Sequence, residues 1–162
     1  MRKYNFENKE IIVTTTFSTP LGEMFAAASK KGIIIFTYFV PFHIEAKIEV
    51  LKNSLNADVI PGNCEIFELL KIQLEEYFNK QRTTFEIPLQ LIGTSFQVKC
   101  WKELLKIPYG KSLKCEDPTM INATLQNMIE ILVPSHRVIF ENKKFLQKEE
   151  NKFLLKLEQN DQ

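Results

Sequence analysis

Glycine is scarce in this chain: five in 162 residues, and none after Gly110. There is no Gly-x-Ser-x-Gly elbow, which excludes the strained nucleophile turn of an α/β-hydrolase. Histidine is scarcer still, with only His43 and His136, far apart in sequence. Cys64, Cys100 and Cys115 are odd in number, and no pair has C-x-x-C spacing. These spacings argue against a disulfide framework and a structural zinc site, so neither metal nor cofactor is expected. Three reduced cysteines suit an intracellular protein of cytoplasm or nucleus. No apolar run approaches the ~20 residues that span a bilayer, so no membrane is expected as a partner. At the start, Arg2, Lys3, Glu7, Lys9 and Glu10 interrupt any signal-peptide pattern. An excess of one charge is missing too: 21 basic and 20 acidic residues leave a net charge of +1. A strongly basic binder is thereby excluded, although a local patch could still meet nucleic acid.

What is present falls into two halves of different character. Ile11–Phe17, "IIVTTTF", is β-branched and Thr-rich, which favours a strand. Pro20 and Gly22 mark a turn, Met24–Ser29 a second strand, and Ile33–Phe39 a third. The third run is almost continuously apolar, as in a strand covered on both faces. Short turns between the three predict an antiparallel meander. Apolar spacing predicts helices over Ile44–Leu55 and Glu65–Asn79, with "NADVIPGN" as a connector between them. The inward face of the second helix would carry Ile66, Leu69, Leu70, Gln73, Leu74 and Tyr77.

After an extended stretch broken by Pro88 and Gly93, the pattern places a domain boundary. Residues 1–92 would form an α/β domain and 93–162 a mostly helical C-terminal domain. Ser95–Ile107 reads as a helix capped by Ser95, with Phe96, Cys100, Leu104 and Ile107 along one face and Trp101 also in the core. Thr119–Met128 reads as a short helix, capped by Asp117 with Pro118 in its first turn. Lys152–Glu158 closes the chain as an amphipathic helix with Phe153, Leu154 and Leu157 facing inward.

The motif of most chemical interest is "VPSHRVI", residues 133–139. Ser135 beside His136 could be a nucleophile and its base, but adjacency in sequence does not give triad geometry. The surrounding motifs suggest another reading. "STPLGEMFAAASKKGI", "LLKIQLEEYFNKQRTTFEIPL", "GTSFQVKCWKELLKIPYGKS", "VPSHRVI" and "KFLLKLE" occur in this order along most of the chain. Together they resemble the O6-alkylguanine-DNA alkyltransferase family, the methylated-DNA–protein-cysteine methyltransferases. The resemblance implies an N-terminal α/β domain and a C-terminal domain with a winged helix-turn-helix that binds the minor groove of duplex DNA. It also implies a flipped guanine whose alkyl group moves, once per molecule, to the cysteine of a Pro-Cys-His-Arg motif. A thiolate suits that transfer because it is a soft nucleophile which an adjacent histidine can make available near neutral pH.

Carried onto this chain, the resemblance places Ser135 at the acceptor position. His136 and Glu158 match the histidine and glutamate of the relay, which a water joins. Asn127 matches the asparagine that links the recognition helix to the active-site segment, and Arg137 has a structural part. Cys115 stands where a phosphate-rotating tyrosine is expected, and Pro118 where the arginine finger should be.

The departures run together. Serine is a harder, poorer nucleophile toward an alkyl carbon. "YGKSLKCEDPTMINATLQN" is short by about one helix of the helix-turn-helix. The segment after the motif, "FENKKFLQKEENK", has neither glycine nor tyrosine. Its long charged side chains would fill or reshape the base pocket. An engineered Cys-to-Ser exchange would leave the rest of the site intact.

The expectation is therefore a homologue unable to transfer alkyl groups to itself. A lesion-binding, alkyltransferase-like protein is one alternative, and a methyltransferase with an engineered serine is the other. Duplex DNA, held more weakly than by an intact member, or a protein would be the partner. Ser135 is expected as a small buried filler bonded to backbone or water, and His136 as a core histidine reaching Glu158 through water. Asn127 is expected to bond backbone rather than DNA, and Cys115 to sit exposed in a loop. Lys143, Lys144, Lys148 and Lys152 read as a solvated face broken by Glu149 and Glu150.

Overall fold

The structure, a computed structural model, describes residues 9–159. The opening residues read for a signal-peptide pattern lie outside the described residues up to position 8. Among the described residues no helix is long and apolar enough to cross a membrane. The described residues form two compact units, those up to 74 with 87–90, and 75–86 with those from 91 onward.

The first unit is built on a sheet. Strands β1 (Glu10–Thr19), β2 (Gly22–Ser29) and β3 (Gly32–Tyr38) form the expected antiparallel meander. Helix α1 (Pro41–Leu55) then crosses over, and β4 (Ala57–Pro61) returns parallel to β1, giving the order β3-β2-β1-β4. The sheet thus has a fourth strand, in the stretch read as a connector. Five residues containing Asp and Pro carry a weak strand signal, and pairing with β1 decides their conformation.

Strand β3 is buried along most of its length although only β2 pairs with it on the sheet. Its outer edge is sealed by residues 87–90: Ile33 N donates to Pro88 O (2.9 Å) and Gln90 N to Ile33 O (2.8 Å). Covering an edge in this way removes a template for aggregation. The seal also explains Gly32. Its φ is +147°, and a Cβ there would lie 2.5 Å from the Pro88 backbone.

Helix α2 (Glu65–Phe78) buries Phe67, Leu70, Gln73, Leu74 and Tyr77. Leu69, expected inside, is exposed, and Phe67 takes the inner position instead. Phe67 stacks edge-on against Phe17, which does the same to Phe36.

The second unit is mostly helical. Helix α3 (Ser95–Leu104) is capped one residue before the expected position. Thr94 is the N-cap, its hydroxyl accepting from Gln97 N while the Gln97 side chain accepts from Thr94 N. This capping box satisfies two donors that a Ser95 cap would leave free. The helix ends at Leu104 rather than Ile107, ahead of Pro108. Trp101 and Cys100 are buried, but Phe96 is 44% exposed and does not join the core. The Trp101 indole donates to Ala123 O (2.9 Å), fixing α3 on α4 (Pro118–Leu125).

Asp117 caps α4 through Thr119 N, as its sequence implied. The helix stops at Leu125, short of Met128. Residues 105–117 form turns and a short strand, β5 (Leu113–Cys115), and no helix. Strand β5 pairs in parallel with β6 (Val138–Phe140). Helix α5 (Glu149–Gln159) ends the described chain and buries Asn151, Leu154 and Glu158. Phe153, expected inward, is 45% exposed.

The fold class is therefore the expected one, an α/β sheet unit followed by a mostly α unit with a shortened helical region.

Candidate functional site

The site lies in the second unit and starts from a stretch of turns. Residues 126–134 leave α4 and enter a 3-10 turn at Ser135–Arg137, which leads directly into β6. Within it Leu132 N donates to Glu130 O (2.7 Å) across Ile131, whose φ is +70°. This is a γ-turn of the strained hand, unusual for a β-branched residue.

Asn127 holds the stretch together. Its Oδ1 accepts from Ile129 N (3.0 Å). Its Nδ2 faces Val133 O (2.8 Å), Ile129 O (3.1 Å) and Ser135 Oγ (3.1 Å). Two amide hydrogens shared among three acceptors leave this side chain fully used. Asn127 is 3% exposed, and its bonds are mostly to backbone, as expected.

Ser135 is buried, and its hydroxyl is bonded to side chains rather than to backbone. It accepts from Asn127 and donates to Glu130 Oε2 (3.2 Å). Glu130 is itself buried, and its other oxygen meets Lys148 Nζ at 3.3 Å. Lys148 was read as part of a solvated lysine face; instead it reaches back from the segment after the motif to a buried carboxylate. Lys152 pairs locally with Glu149.

His136 faces away from this cluster. Its Nε2 lies 2.6 Å from Glu158 Oε2. That distance leaves no room for the water expected between them, so the contact is direct. A carboxylate partner places a proton on Nε2. The other ring nitrogen, Nδ1, is buried without a hydrogen-bond partner among the described residues. Among the described residues the Ser135 hydroxyl is bonded to Asn127 and Glu130, not to His136.

Glu158 is the hub of the second cluster. It is fully buried and accepts from Tyr77 OH (2.6 Å), His136, and Arg137 through Nε (2.8 Å) and Nη2 (3.1 Å). Burial alone would raise its pKa. The hydrogen bonds and charges of His136 and Arg137 overcome that and hold the carboxyl down to about 2. Tyr77 is pushed well above the ordinary phenol range, by burial first and then by the Glu158 charge. Arg137 also donates to Ile107 O (2.6 Å) and lies over the Tyr109 ring. Its part is structural, tying α5 to the turn after α3.

The remaining sequence-derived positions lie apart from these clusters. Pro118 is exposed at the first position of α4. Cys115 is not in an exposed loop; it is half-buried at the end of β5, paired with Phe140. Burial pushes the Cys100 thiol up, which suits an inert core residue. Among the described residues no group of His, Cys, Asp and Glu could hold a metal ion.

Two participants escaped the sequence reading. Glu130 is the one charge in the apolar run "IEILV", and a carboxylate in a buried run must find a partner. Tyr77 was placed on an inward helix face without its hydroxyl being given an acceptor.

Comparison with known proteins adds the following. Residues 12–91 match the family described as 6-O-methylguanine DNA methyltransferase, ribonuclease-like domain. The constitutive methylated-DNA–protein-cysteine methyltransferase of Bacillus subtilis is 36% identical over 139 residues, covering 79% of this chain and 81% of its own. That of Methanosarcina barkeri is 30% identical over 157 residues, covering 88% and 94%. The O6-methylguanine methyltransferase structure of Mycobacterium tuberculosis superposes with a TM-score of 0.73 at 25% identity, covering 93% of this chain and 94% of that one. A second structure, Mycobacterium tuberculosis OGT in complex with DNA, superposes with a TM-score of 0.71 at 25% identity over the same shares.

Proposed function

The chain belongs to the methylated-DNA–protein-cysteine methyltransferase family, and we propose that it is a member that does not transfer alkyl groups to itself. In this reading Ser135 stands at the acceptor position, in the Pro-Ser-His-Arg of "VPSHRVI". The observation that carries the reading is the bonding of Ser135: its one hydroxyl proton goes to Glu130, and Asn127 takes a lone pair. Neither partner is the histidine that would activate a nucleophile. Pro118, at the finger position, has no guanidinium with which to hold an extrahelical gap open. Lys148 reaches the Ser135 cluster from the segment that shapes the base pocket in the family.

The two clusters divide the roles. Glu158, His136, Arg137 and Tyr77 form a buried frame that fixes the 3-10 turn. Asn127 and Glu130 hold residue 135 within it. The reading includes a domain division into residues 1–92 and 93–162, and an intracellular place of work. Duplex DNA is its weakened partner: the Mycobacterium tuberculosis relative was crystallised with DNA, and helix α4 is retained here. That retention also favours the second reading, a protein that recognises O6-alkylguanine in DNA without repairing it.

Binding to a duplex with one O6-methylguanine and to its undamaged counterpart, at two salt concentrations, separates the two. Equal, weak, salt-sensitive binding to both, or none, supports loss of the ancestral task. Preference for the lesion supports the second reading.

A further inference from the structure

We infer that Glu130 closes position 135 to thiolate chemistry: with this carboxylate in place even a cysteine there would remain a protonated thiol. Ser135 and Glu130 are then two parts of one loss. The inference rests on the reading of residue 135 as the acceptor position.

The geometry is specific. The Glu130 side chain is 3% exposed, with one oxygen 3.3 Å from Lys148 Nζ and the other 3.2 Å from Ser135 Oγ. The γ-turn at Ile131 fixes its backbone. A thiolate at 135 would place a second negative charge against this buried carboxylate. Like charges at that separation disfavour ionisation, and a hydrogen bond from S–H to the carboxylate favours the neutral thiol. Both effects have the same sign.

The cations nearby do not reverse it. Lys148 is a single charge, already shared with Glu130 and a third exposed to water. His136 and Arg137 are both bonded to Glu158. A serine hydroxyl suits the site because it gives the carboxylate a proton and brings no charge of its own.

The test titrates a thiol introduced at 135, by ultraviolet thiolate absorbance. The serine parent is subtracted to remove Cys64, Cys100 and Cys115. In Ser135→Cys the midpoint should lie above the ordinary cysteine value of about 8.5. Adding Glu130→Gln should lower it by about one unit or more, a tenfold gain in thiolate at neutral pH. Adding Lys148→Met instead should raise it further. A midpoint at or below about 8.5 in Ser135→Cys, or one that Glu130→Gln does not lower, overturns the inference. If the Glu130→Gln double variant does not fold, as judged by Trp101 fluorescence, the Lys148→Met arm decides. A rise sustains the inference, and no change or a fall overturns it. The titration contains no DNA, so its failure is distinct from failure of the transfer reading, which a labelled-duplex assay reports.

Discussion

Replacing Glu158 by Gln keeps the shape of the buried frame and removes its charge. The carboxylate accepts four hydrogen bonds from three side chains, and Arg137, 8% exposed, depends on it for both Nε and Nη2. In the variant the guanidinium keeps Ile107 O and the Tyr109 ring but loses its ion-pair partner. Breaking a buried pair by removing one member costs about 3–5 kcal/mol. That is a large share of the roughly 5–15 kcal/mol by which domains are stable. Trp101 is the chain's one tryptophan and is buried in the same unit, so its fluorescence in urea reports this loss directly.

The same residue sets an acid limb. Its pKa is about 2 in the fold against an ordinary 4.5. A depressed folded value means stability fully present above pH 4.5 and lost as pH falls toward 2. At ~1.36 kcal/mol per unit the gap corresponds to about 3 kcal/mol. Glu158→Gln should lack that part of the acid limb, since an amide does not titrate. A variant within about 1 kcal/mol of the parent at neutral pH, with an unchanged limb, would refute the hub role assigned to Glu158.

Other consequences can be checked on the folded chain. Thr94→Ala removes the capping box of α3 and should cost about 1 kcal/mol, with faster amide exchange at Gln97, whereas Ser95→Ala should change little. Gly32→Ala puts a Cβ into the Pro88 backbone at a φ that L-residues avoid. It should cost roughly 3 kcal/mol or more, seen as lost exchange protection in β2 and β3 with Trp101 fluorescence unaltered.

The meander and most helices were legible because hydrophobic periodicity and turn residues act locally. Strand β4 was not, because pairing with β1 rather than its own composition makes it a strand. The cap of α3 moved by one residue because Thr94 and Ser95 are both good caps, and only Thr94 has Gln97 at the reciprocal spacing. Phe96 and Phe153 were read as core because they are large and apolar. Each lies off the buried stripe of a short helix, which carries Cys100, Trp101 and Leu104 in α3 and Asn151, Leu154 and Glu158 in α5. At the site, Ser135, His136, Arg137, Asn127 and Glu158 were named from motifs, and the fold buries all five. The partner of the Ser135 hydroxyl was not legible, since Glu130–Lys148 is a tertiary contact between two loops. The lone charge in "IEILV" was nonetheless a signal that a buried partner existed.

The most direct test of the account uses a duplex carrying O6-methylguanine with a labelled methyl group, incubated with excess protein and followed by intact mass. The account predicts no label on the protein and no methyl gain in the peptide containing residues 133–139. One methyl per chain, mapped to Ser135, would contradict it.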